Sequence, residues 1–230
     1  MIDPKKPVPL FRTHAVGSVV GAAVSAVCDA GYLNEGVQVA ELEAFLAKRL
    51  NAPRGEATLL NSCTSALELS LRLAGVGPGD NVIAPSMTCI ATNAPIIAAG
   101  ANIVWADIDP HTGCIDPDDV ERIMMSRWES DRPGSVSGPF KAVICVDWAG
   151  NVCDLDELNR ITMKFGACLI QDAAHAFGAR WHGDGIAQHA DFTCFSFQAI
   201  KHFTTGDGGM LTCKDPTAHA LGRRLKWFGL

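Results

Sequence analysis

The sequence predicts an α/β protein in three layers, with a mostly parallel β-sheet covered by helices on both faces. Three observations support this prediction. Short apolar segments alternate with amphipathic segments over nearly the whole chain, which is the pattern of parallel strands joined by crossover helices. The chain has 230 residues, of which 48% are hydrophobic and 19% charged, so it can bury a large core. Polar clusters also follow several apolar segments, which is where sites form in such sheets.

Two helices are predicted before the first strand. Residues 15–27 are small and apolar and follow basic residues, which imitates a secretory leader. The segment lacks a fitting cleavage site, however, and is too short to span a membrane. Residues 37–50 place apolar side chains at helical spacing, with charged residues opposite. This apolar stripe consists of Val39, Leu42, Phe45, Leu46 and Leu50.

Strand and helix units fill the rest of the chain. The turn at Ser62–Ser65 follows the first strand and begins a helix, which glycine and proline end after Leu73. Residues 128–140 are polar and rich in Gly, Ser and Pro, which predicts a surface loop. The remaining predicted elements are strands at 57–61, 82–84, 102–107, 142–146, 167–171, 191–197 and 209–213, and helices at 88–99, 117–125, 155–165 and from residue 216 onward.

Charge and cysteine content argue against several classes of function. The net charge is −6 and no basic cluster is present, so nucleic-acid binding is not expected. The nine cysteines are odd in number, form no Cys-x-x-Cys pair and lie mostly in apolar segments. Zinc and thioredoxin-like sites therefore lack their spacing. We predict reduced, buried cysteines in a cytoplasmic protein without a metal site or a membrane partner.

Three polar groups could carry chemistry. Asp172 ends an apolar strand, Lys201 follows another strand, and the Ser62–Ser65 turn joins a strand to a helix. A lysine beside an apolar segment can be a neutral nucleophile, and a carboxylate and a lysine match the ring-nitrogen and aldehyde partners of pyridoxal 5′-phosphate (PLP). The turn offers N–H groups and hydroxyls to a phosphate. Each group also has a simpler interpretation, as a helix cap, a solvated charge or an ion pair.

Extended motifs surround these groups. The most specific are Gln171-Asp-Ala-Ala-His-Ala-Phe-Gly178 and Phe195-Ser-Phe-Gln-Ala-Ile-Lys201, followed by Gly206-Asp-Gly-Gly209. Upstream motifs in the same order are 31–36, 61–67 and 77–86. Together they resemble the DegT/DnrJ/EryC1/StrS family of PLP-dependent sugar aminotransferases, which have PLP-transferase fold type I in the aspartate aminotransferase superfamily. The resemblance implies an N-terminal arm at 1–17 and a PLP-binding large domain at 18–230.

The resemblance implies a role for each matching residue. Lys201 would be the Schiff-base lysine and would move the proton between the substrate Cα and the cofactor C4′. Asp172 would keep the ring nitrogen protonated. His175 would lie near the phenolic oxygen of the cofactor, although a histidine that packs at a helix start is also a reasonable interpretation. The expected phosphate ligands are Thr64, Ser65 and Ser196.

Two cofactor-binding positions depart from the family pattern. Cys63 stands where the family usually has glycine, and Cys89 stands where it often has an aromatic ring over the cofactor. A thiol can pack on a π face but cannot stack on it, so we expect weaker retention of the cofactor. Asp147 and Trp148 follow the strand at 142–146 and could approach substrate, but packing roles are favoured.

The resemblance also implies a reaction and its partners. The reaction would transfer an amino group from an amino acid, with glutamate as the implied donor, to a nucleotide-linked keto-sugar in amino-sugar biosynthesis for surface polysaccharide or natural products. Family members continue into a smaller C-terminal domain, and the resemblance implies that residues 18–230 correspond to the large domain without it. The expected protein partner is therefore a second copy in a homodimer, or a chain that supplies that domain.

Two alternatives remain open at this point. One is a truncated or split non-catalytic subunit with a PLP fold, acting in binding or assembly. The other is a PLP-dependent sugar dehydratase of the same family. Lys201 argues against the dehydratase, because those enzymes have histidine in place of the lysine.

Overall fold

Helices cover both faces of a seven-stranded sheet in the computed structural model, which describes residues 13, 15–126 and 138–229. Most of the predicted surface loop at 128–140 lies outside the described residues. The strands are β1 Thr58–Leu60, β2 Asn81–Pro85, β3 Asn102–Ala106, β4 Phe140–Val146, β5 Cys168–Asp172, β6 Arg180–Trp181, β7 Asp184–Gly185, β8 Phe192–Ser196 and β9 Gly209–Cys213. The helices are α1 Gly17–Asp29, α2 Val37–Arg49, α3 Cys63–Leu73, α4 Ile90–Ala98, α5 Pro117–Ser126, α6 Leu155–Phe165 and α7 Pro216–Lys226.

The order of strands across the large sheet is β1-β9-β8-β5-β4-β2-β3. All neighbours from β3 to β8 are parallel, whereas β9 is antiparallel to both β8 and β1. The predicted three-layer α/β fold with a mostly parallel sheet is therefore confirmed. The antiparallel edge is an addition, and so is the separate two-stranded sheet of β6 and β7.

Strand β4 shows why the sheet needs helices on both faces. Its residues from Ala142 to Val146 are all buried, and successive side chains of a strand point to opposite faces. Ile144 packs in the core under α3 and α4, whereas Val143 and Cys145 pack in the core with α5 and α6. A strand that is apolar on both faces is stable only when helices cover both.

Helix α6 illustrates local signals that set element boundaries. The side chain of Asp154 accepts a hydrogen bond from the backbone N–H of Glu157 at 3.1 Å, which caps the first turn. The helix ends at Gly166, whose φ of 69° is in the left-handed region that glycine adopts at low cost. The predicted bounds of this helix, 155–165, are confirmed.

The predicted apolar stripe of α2 is wrong at one residue. Phe45 is 59% exposed, while Leu46 and Leu50 are buried as predicted. The helix instead buries Glu43, which accepts a hydrogen bond from the Leu59 backbone N–H at 2.9 Å and pairs with Arg223 at 2.9 Å. The face of α2 that contains Glu43 is therefore turned inward, because the Glu43 carboxylate binds to Leu59 of β1 and to Arg223 of α7.

The cysteine prediction is largely confirmed. All nine thiols are free, and six of them are buried. Cys28 and Cys89 are exposed and Cys168 is half-buried. Among the described residues, no helix combines the length and the apolar character that a membrane span requires.

Candidate active site

A pocket of about 310 Å³ opens at the carboxyl ends of the central strands. The ends of β4, β5 and β8, the first turns of α3 and α4, and the loop after β8 form its walls. This is the location that the fold class predicts for a site. The predicted site residues in the wall are Cys63, Thr64, Cys89, Asp172, His175, Ser196 and Lys201.

Asp172 is the last residue of β5 and is 4% exposed. Its Oδ2 atom accepts a hydrogen bond from the Thr92 hydroxyl at 2.7 Å. Its Oδ1 atom accepts from the Ala174 backbone N–H at 3.1 Å and from the Cys63 thiol at 3.8 Å. Burial and the charge of Asp172 raise the pKa of the Cys63 thiol well above its usual value, so the thiol keeps the proton that it donates. Three donors therefore stabilise the buried carboxylate charge.

The N-terminus of α3 forms a second wall of the pocket. The Ser62 side chain caps the helix by accepting from the Ser65 backbone N–H at 3.1 Å. The backbone N–H groups of Cys63 and Thr64 lie in the first turn, where no intrahelical acceptor exists. Together with the positive end of the helix dipole, these groups make a binding site for an anion such as a phosphate.

A glycine brings this helix start close to the end of β8. Gly209 pairs with Ser196 across the β8–β9 ladder. A Cβ atom on Gly209 would overlap the backbone carbon of Ser62 and the backbone nitrogen of Cys63. Only glycine permits this approach of two backbones. The hydroxyl of Ser196 and the first turn of α3 consequently face the same pocket.

Ser65 is the one predicted phosphate ligand that does not line the pocket. Its hydroxyl donates to the Asn61 side-chain oxygen at 2.7 Å and contacts the Ser62 hydroxyl at 3.1 Å. The side chain lines a neighbouring, larger cavity of about 450 Å³, which also contains Arg72 and Trp227 and none of the other predicted site residues. The phosphate role of Ser65 stays a prediction.

Lys201 lies in the loop between β8 and β9, where it is half-buried. Its backbone N–H donates to the Gln198 carbonyl oxygen at 2.8 Å. Two residues later the ring of Phe203 stacks on Phe177, with centroids 5.4 Å apart, and meets Phe197 edge-on at 5.2 Å. The aromatic cluster anchors the loop, and this anchor holds the lysine at the pocket.

His175 lines the pocket from the turn after β5. Its ring contacts Trp148 edge-on, with centroids 5.6 Å apart, and its Nδ1 accepts from the Ala149 backbone N–H at 3.4 Å. Burial and then the positive charge of Lys201 lower the pKa of His175. The histidine is therefore neutral near pH 7, and its proton is on Nε2, since Nδ1 is an acceptor.

Asp147 has a structural rather than a pocket position. It is fully buried, accepts from the Gln171 side-chain amide at 2.8 Å and from the Cys153 backbone N–H at 3.1 Å. The Gln171 oxygen in turn accepts from the Thr193 hydroxyl at 3.1 Å. Neither Asp147 nor Trp148 lines the pocket, in agreement with the favoured packing roles.

Sequence reasoning missed several residues of the pocket wall. Thr88 and Thr92 contribute hydroxyls from the start of α4, and Gln198 and Asp207 contribute from the loop after β8. The two threonines are four positions apart in the sequence, with Thr88 in the turn before the N-cap of α4 and Thr92 in its first turn. That spacing was the only signal in the sequence, because their contact with Asp172 is long-range.

Comparison with known proteins identifies similar sequences and folds. The sequence profile of the DegT/DnrJ/EryC1/StrS aminotransferase family matches residues 17–230. The chain is similar to AtS13 from Actinomadura melliaura, with 35% identity and a TM-score of 0.84 over 99% of this chain and 59% of that one. The sugar aminotransferase CalS13 from Micromonospora echinospora is 31% identical, with a TM-score of 0.83 over 97% and 58% of the two chains.

A third similar structure is DesI, solved in the presence of its TDP-sugar product. It is 30% identical, with a TM-score of 0.80 over 96% of this chain and 52% of DesI. The chain therefore spans between 52% and 59% of the length of these three proteins. The likeness confirms the large-domain fold of PLP-dependent aminotransferases.

The donor set of the pocket fits PLP. Members of the matching family depend on this cofactor, and similar solved structures include a PLP form and a PMP form. The pocket offers a buried carboxylate for a ring nitrogen, a lysine amine for an aldehyde, and a helix N-terminus with hydroxyls for a phosphate.

Proposed function

Because this chain belongs to the DegT/DnrJ/EryC1/StrS aminotransferase family, we propose that it is the PLP-binding part of an enzyme that transfers an amino group to a nucleotide-linked keto-sugar. The donor is an amino acid, glutamate in this proposal, and the product serves amino-sugar biosynthesis. One observation carries the proposal: Asp172, Lys201 and the N-terminus of α3 line a single pocket. The related DesI, whose structure was solved in the presence of its TDP-sugar product, supports the class of acceptor.

When bound, PLP would supply an aldehyde carbon that can carry the amino group and a ring that delocalises carbanion charge. Asp172 would hold a proton on the ring nitrogen, and three hydrogen-bond donors contact its carboxyl oxygens. The hydroxyls of Thr64 and Ser196, with the N–H groups at the start of α3, would bind the phosphate.

Lys201 would bind the aldehyde carbon and then act as the general acid and base. In that role its amine would take a proton from the donor Cα and deliver it to the cofactor C4′, and for the acceptor it would move the proton in the opposite direction. The neutral His175 would lie near the phenolic oxygen. Because its Nδ1 accepts from Ala149, only its Nε2–H can donate to a ligand.

A second copy of the chain is the protein partner in this proposal. Helix α1 has no buried residue, although it is rich in apolar side chains. Its residues Val19, Val20 and Val24 are between 49% and 66% exposed. Tyr32 and Leu33 extend this apolar surface. Exposed apolar surface of this extent is typical of an interface rather than of a monomer surface.

Borohydride trapping tests the cofactor assignment. We expect purified chain incubated with PLP to gain visible absorbance, and borohydride to fix the cofactor covalently on the peptide that carries Lys201. The Lys201→Ala variant should lose this adduct, whereas Lys48→Ala, which removes an exposed lysine of α2, should retain it. An adduct spread over surface lysines and unchanged in Lys201→Ala would contradict the proposal.

The amino donor and acceptor are tested in separate half-reactions. The PLP-loaded chain should release 2-oxoglutarate from glutamate, and the aminated cofactor should then be consumed by a thymidine-diphosphate keto-sugar. The same assays are repeated after the chain is mixed with the part of AtS13 that this chain does not cover. The comparison shows what the large domain needs for turnover. Release of 2-oxoglutarate that persists in Lys201→Ala would contradict the role of the lysine.

A further inference from the structure

The hydroxyl of Thr92 leaves its own helix. Buried Ser and Thr side chains inside helices usually donate to a carbonyl three or four residues earlier. Thr162 in α6 and Ser70 in α3 do so, with bonds of 3.0 Å to Leu158 and 2.8 Å to Leu67. Thr92 is equally buried, at 1% exposure, but it lies in the first turn of α4, where no helical turn precedes it, and its hydroxyl donates to Asp172, eighty residues away, at 2.7 Å. Its side chain therefore serves the pocket.

A second hydroxyl backs the first. The Oγ1 atoms of Thr88 and Thr92 are 2.8 Å apart. A hydroxyl has one proton to donate and two lone pairs that accept. Since Thr92 gives its proton to the carboxylate of Asp172, Thr88 must be the donor in the bond between the threonines. The protons thus run in one direction, from Thr88 to Thr92 to Asp172, and each bond polarises the next.

The position of this relay is fixed by its surroundings. The neighbouring Asn93 donates from its side-chain amide to the Pro85 carbonyl oxygen at 3.1 Å, which ties α4 to the end of β2. Threonine is β-branched and has few rotamers in a helix. By contrast, the χ2 torsion of an aspartate has a broad distribution, so its carboxyl group turns easily. Among the described residues, Thr92 is the one donor to the Oδ2 atom of Asp172.

We propose that Thr92, backed by Thr88, is a positioning residue that holds the Asp172 carboxylate charged and correctly turned for the ring nitrogen of the cofactor. This inference rests on the proposed function, because that function assigns Asp172 to the nitrogen. Without the Thr92 hydroxyl, Asp172 would keep its bonds at Oδ1 but lose the one that fixes Oδ2. The carboxylate would then lose both orientation and a donor that stabilises its charge.

The test compares variants that differ only at the hydroxyls. Thr92→Val removes the hydroxyl at nearly constant shape, Thr92→Ser retains it, and Thr88→Val removes only the second donor. Thr162→Val makes the same change in a buried helical threonine on the opposite face of the sheet. Two properties are measured: the dissociation constant for PLP, and the ¹⁵N signal of ¹⁵N-labelled PLP, which reports protonation of the ring nitrogen.

We expect Thr92→Val to weaken PLP binding about tenfold, the loss typical of one hydrogen bond to a charged group. Its ¹⁵N signal should move toward that of unprotonated pyridine. Thr92→Ser and Thr162→Val should keep the wild-type signal and bind PLP within about threefold of wild type, and Thr88→Val should fall between them. Circular dichroism of each variant confirms that the chain is folded.

The outcomes separate this proposal from the one on which it rests. Wild-type chain that binds no PLP would contradict the proposed function and the relay together. Wild-type binding with equal affinity and an equal ¹⁵N signal in Thr92→Val and Thr92→Ser would overturn the relay alone. If Thr92→Val does not fold, Thr88→Val decides: a wild-type signal and affinity in that variant would contradict the relay.

Discussion

The backbone N–H of Asp147 donates to the carbonyl oxygen of Asp172 at 3.1 Å, so two buried aspartates meet at the ends of β4 and β5. Their side chains have different surroundings, because Asp172 lines the pocket whereas Asp147 bonds to Gln171 and Cys153 beneath it. Burial raises the pKa of Asp147 to about 7, and the charge of Asp172 adds to this effect. The carboxyl group of Asp147, at the end of β4, is thus partly protonated near neutral pH, and it does not line the pocket.

Replacing Asp147 by asparagine should remove a pH dependence of stability. A carboxyl whose pKa is higher in the folded than in the unfolded chain contributes stability at low pH that is lost as the pH rises through the folded value. Between about pH 5 and 8, the free energy of unfolding of the wild type should therefore fall by about 1–3 kcal/mol relative to that of Asp147→Asn. Urea denaturation over this range measures both curves, and parallel curves would contradict the raised pKa.

Adding one methyl group at Gly209 should separate two walls of the pocket. The new Cβ would overlap the backbone of Ser62 and Cys63, so the start of α3 must move away from β8. We expect Gly209→Ala to lose at least about 2 kcal/mol of stability and most of its PLP affinity.

The control is Gly21→Ala in α1. Nothing lies within 4 Å of the Cβ that it adds, and alanine in a helix interior is more stable than glycine by about 0.5–1 kcal/mol. Thermal denaturation and PLP titration of both variants check the prediction. A Gly209→Ala chain with wild-type stability would show that the close approach is not required.

An aromatic ring at position 89 should improve retention of the cofactor. Cys89 precedes α4, is exposed and lines the pocket. Cys89→Trp should bind PLP about fivefold more tightly, since a ring that stacks on an aromatic ligand contributes roughly 0.5–1.5 kcal/mol. Cys89→Ser, which lacks a ring, serves as the control and should not bind more tightly than wild type. Equal dissociation constants for wild type and Cys89→Trp would contradict the prediction.

Charges on α1 should prevent self-association. Val20 and Val24 lie one helical turn apart and are 49% and 57% exposed. The wild-type chain should sediment as a dimer at micromolar concentration, and a chain with Val20→Glu and Val24→Glu should sediment as a monomer, because burying two carboxylates without partners is unfavourable. Met163→Glu, which changes an exposed apolar residue of α6, should remain dimeric. A monomeric wild type would remove this partner from the proposal.

The parallel part of the fold could be predicted from the sequence because its signals are local. Apolar runs such as Ala142–Val146 and the amphipathic pattern of 155–165 need no knowledge of the rest of the chain. The antiparallel pairing of β9 with β1 could not be predicted, since Thr58 and Leu211 meet only through the fold. The small β6–β7 hairpin did have a local signal in its two-residue turn, His182 and Gly183, which both adopt positive φ.

The site shows the same division. Asp172, Lys201 and the turn before α3 could be predicted from residue type and position at strand ends, and all three line the pocket. The spacing of apolar residues predicts that Phe45 is buried. Helix α2 instead buries Glu43, which pairs with Arg223, and leaves Phe45 exposed. Thr92 could not be predicted, because its partner is distant in the sequence and a helical threonine usually bonds to its own backbone.

The antiparallel turn between β8 and β9 has a consequence for how the pocket forms during folding. Lys201 reaches the pocket through a hairpin whose ends, Ser196 and Gly209, are close in sequence, and short loops close quickly and at low entropic cost. The carboxylate of Asp172 depends on hydrogen bonds from Thr92 and Cys63, which are 80 and 109 residues away in the sequence. Contacts between such distant residues form slowly. We therefore expect the lysine loop to be structured before the carboxylate acquires its donors, so that the cofactor can bind only after the last long-range contacts close.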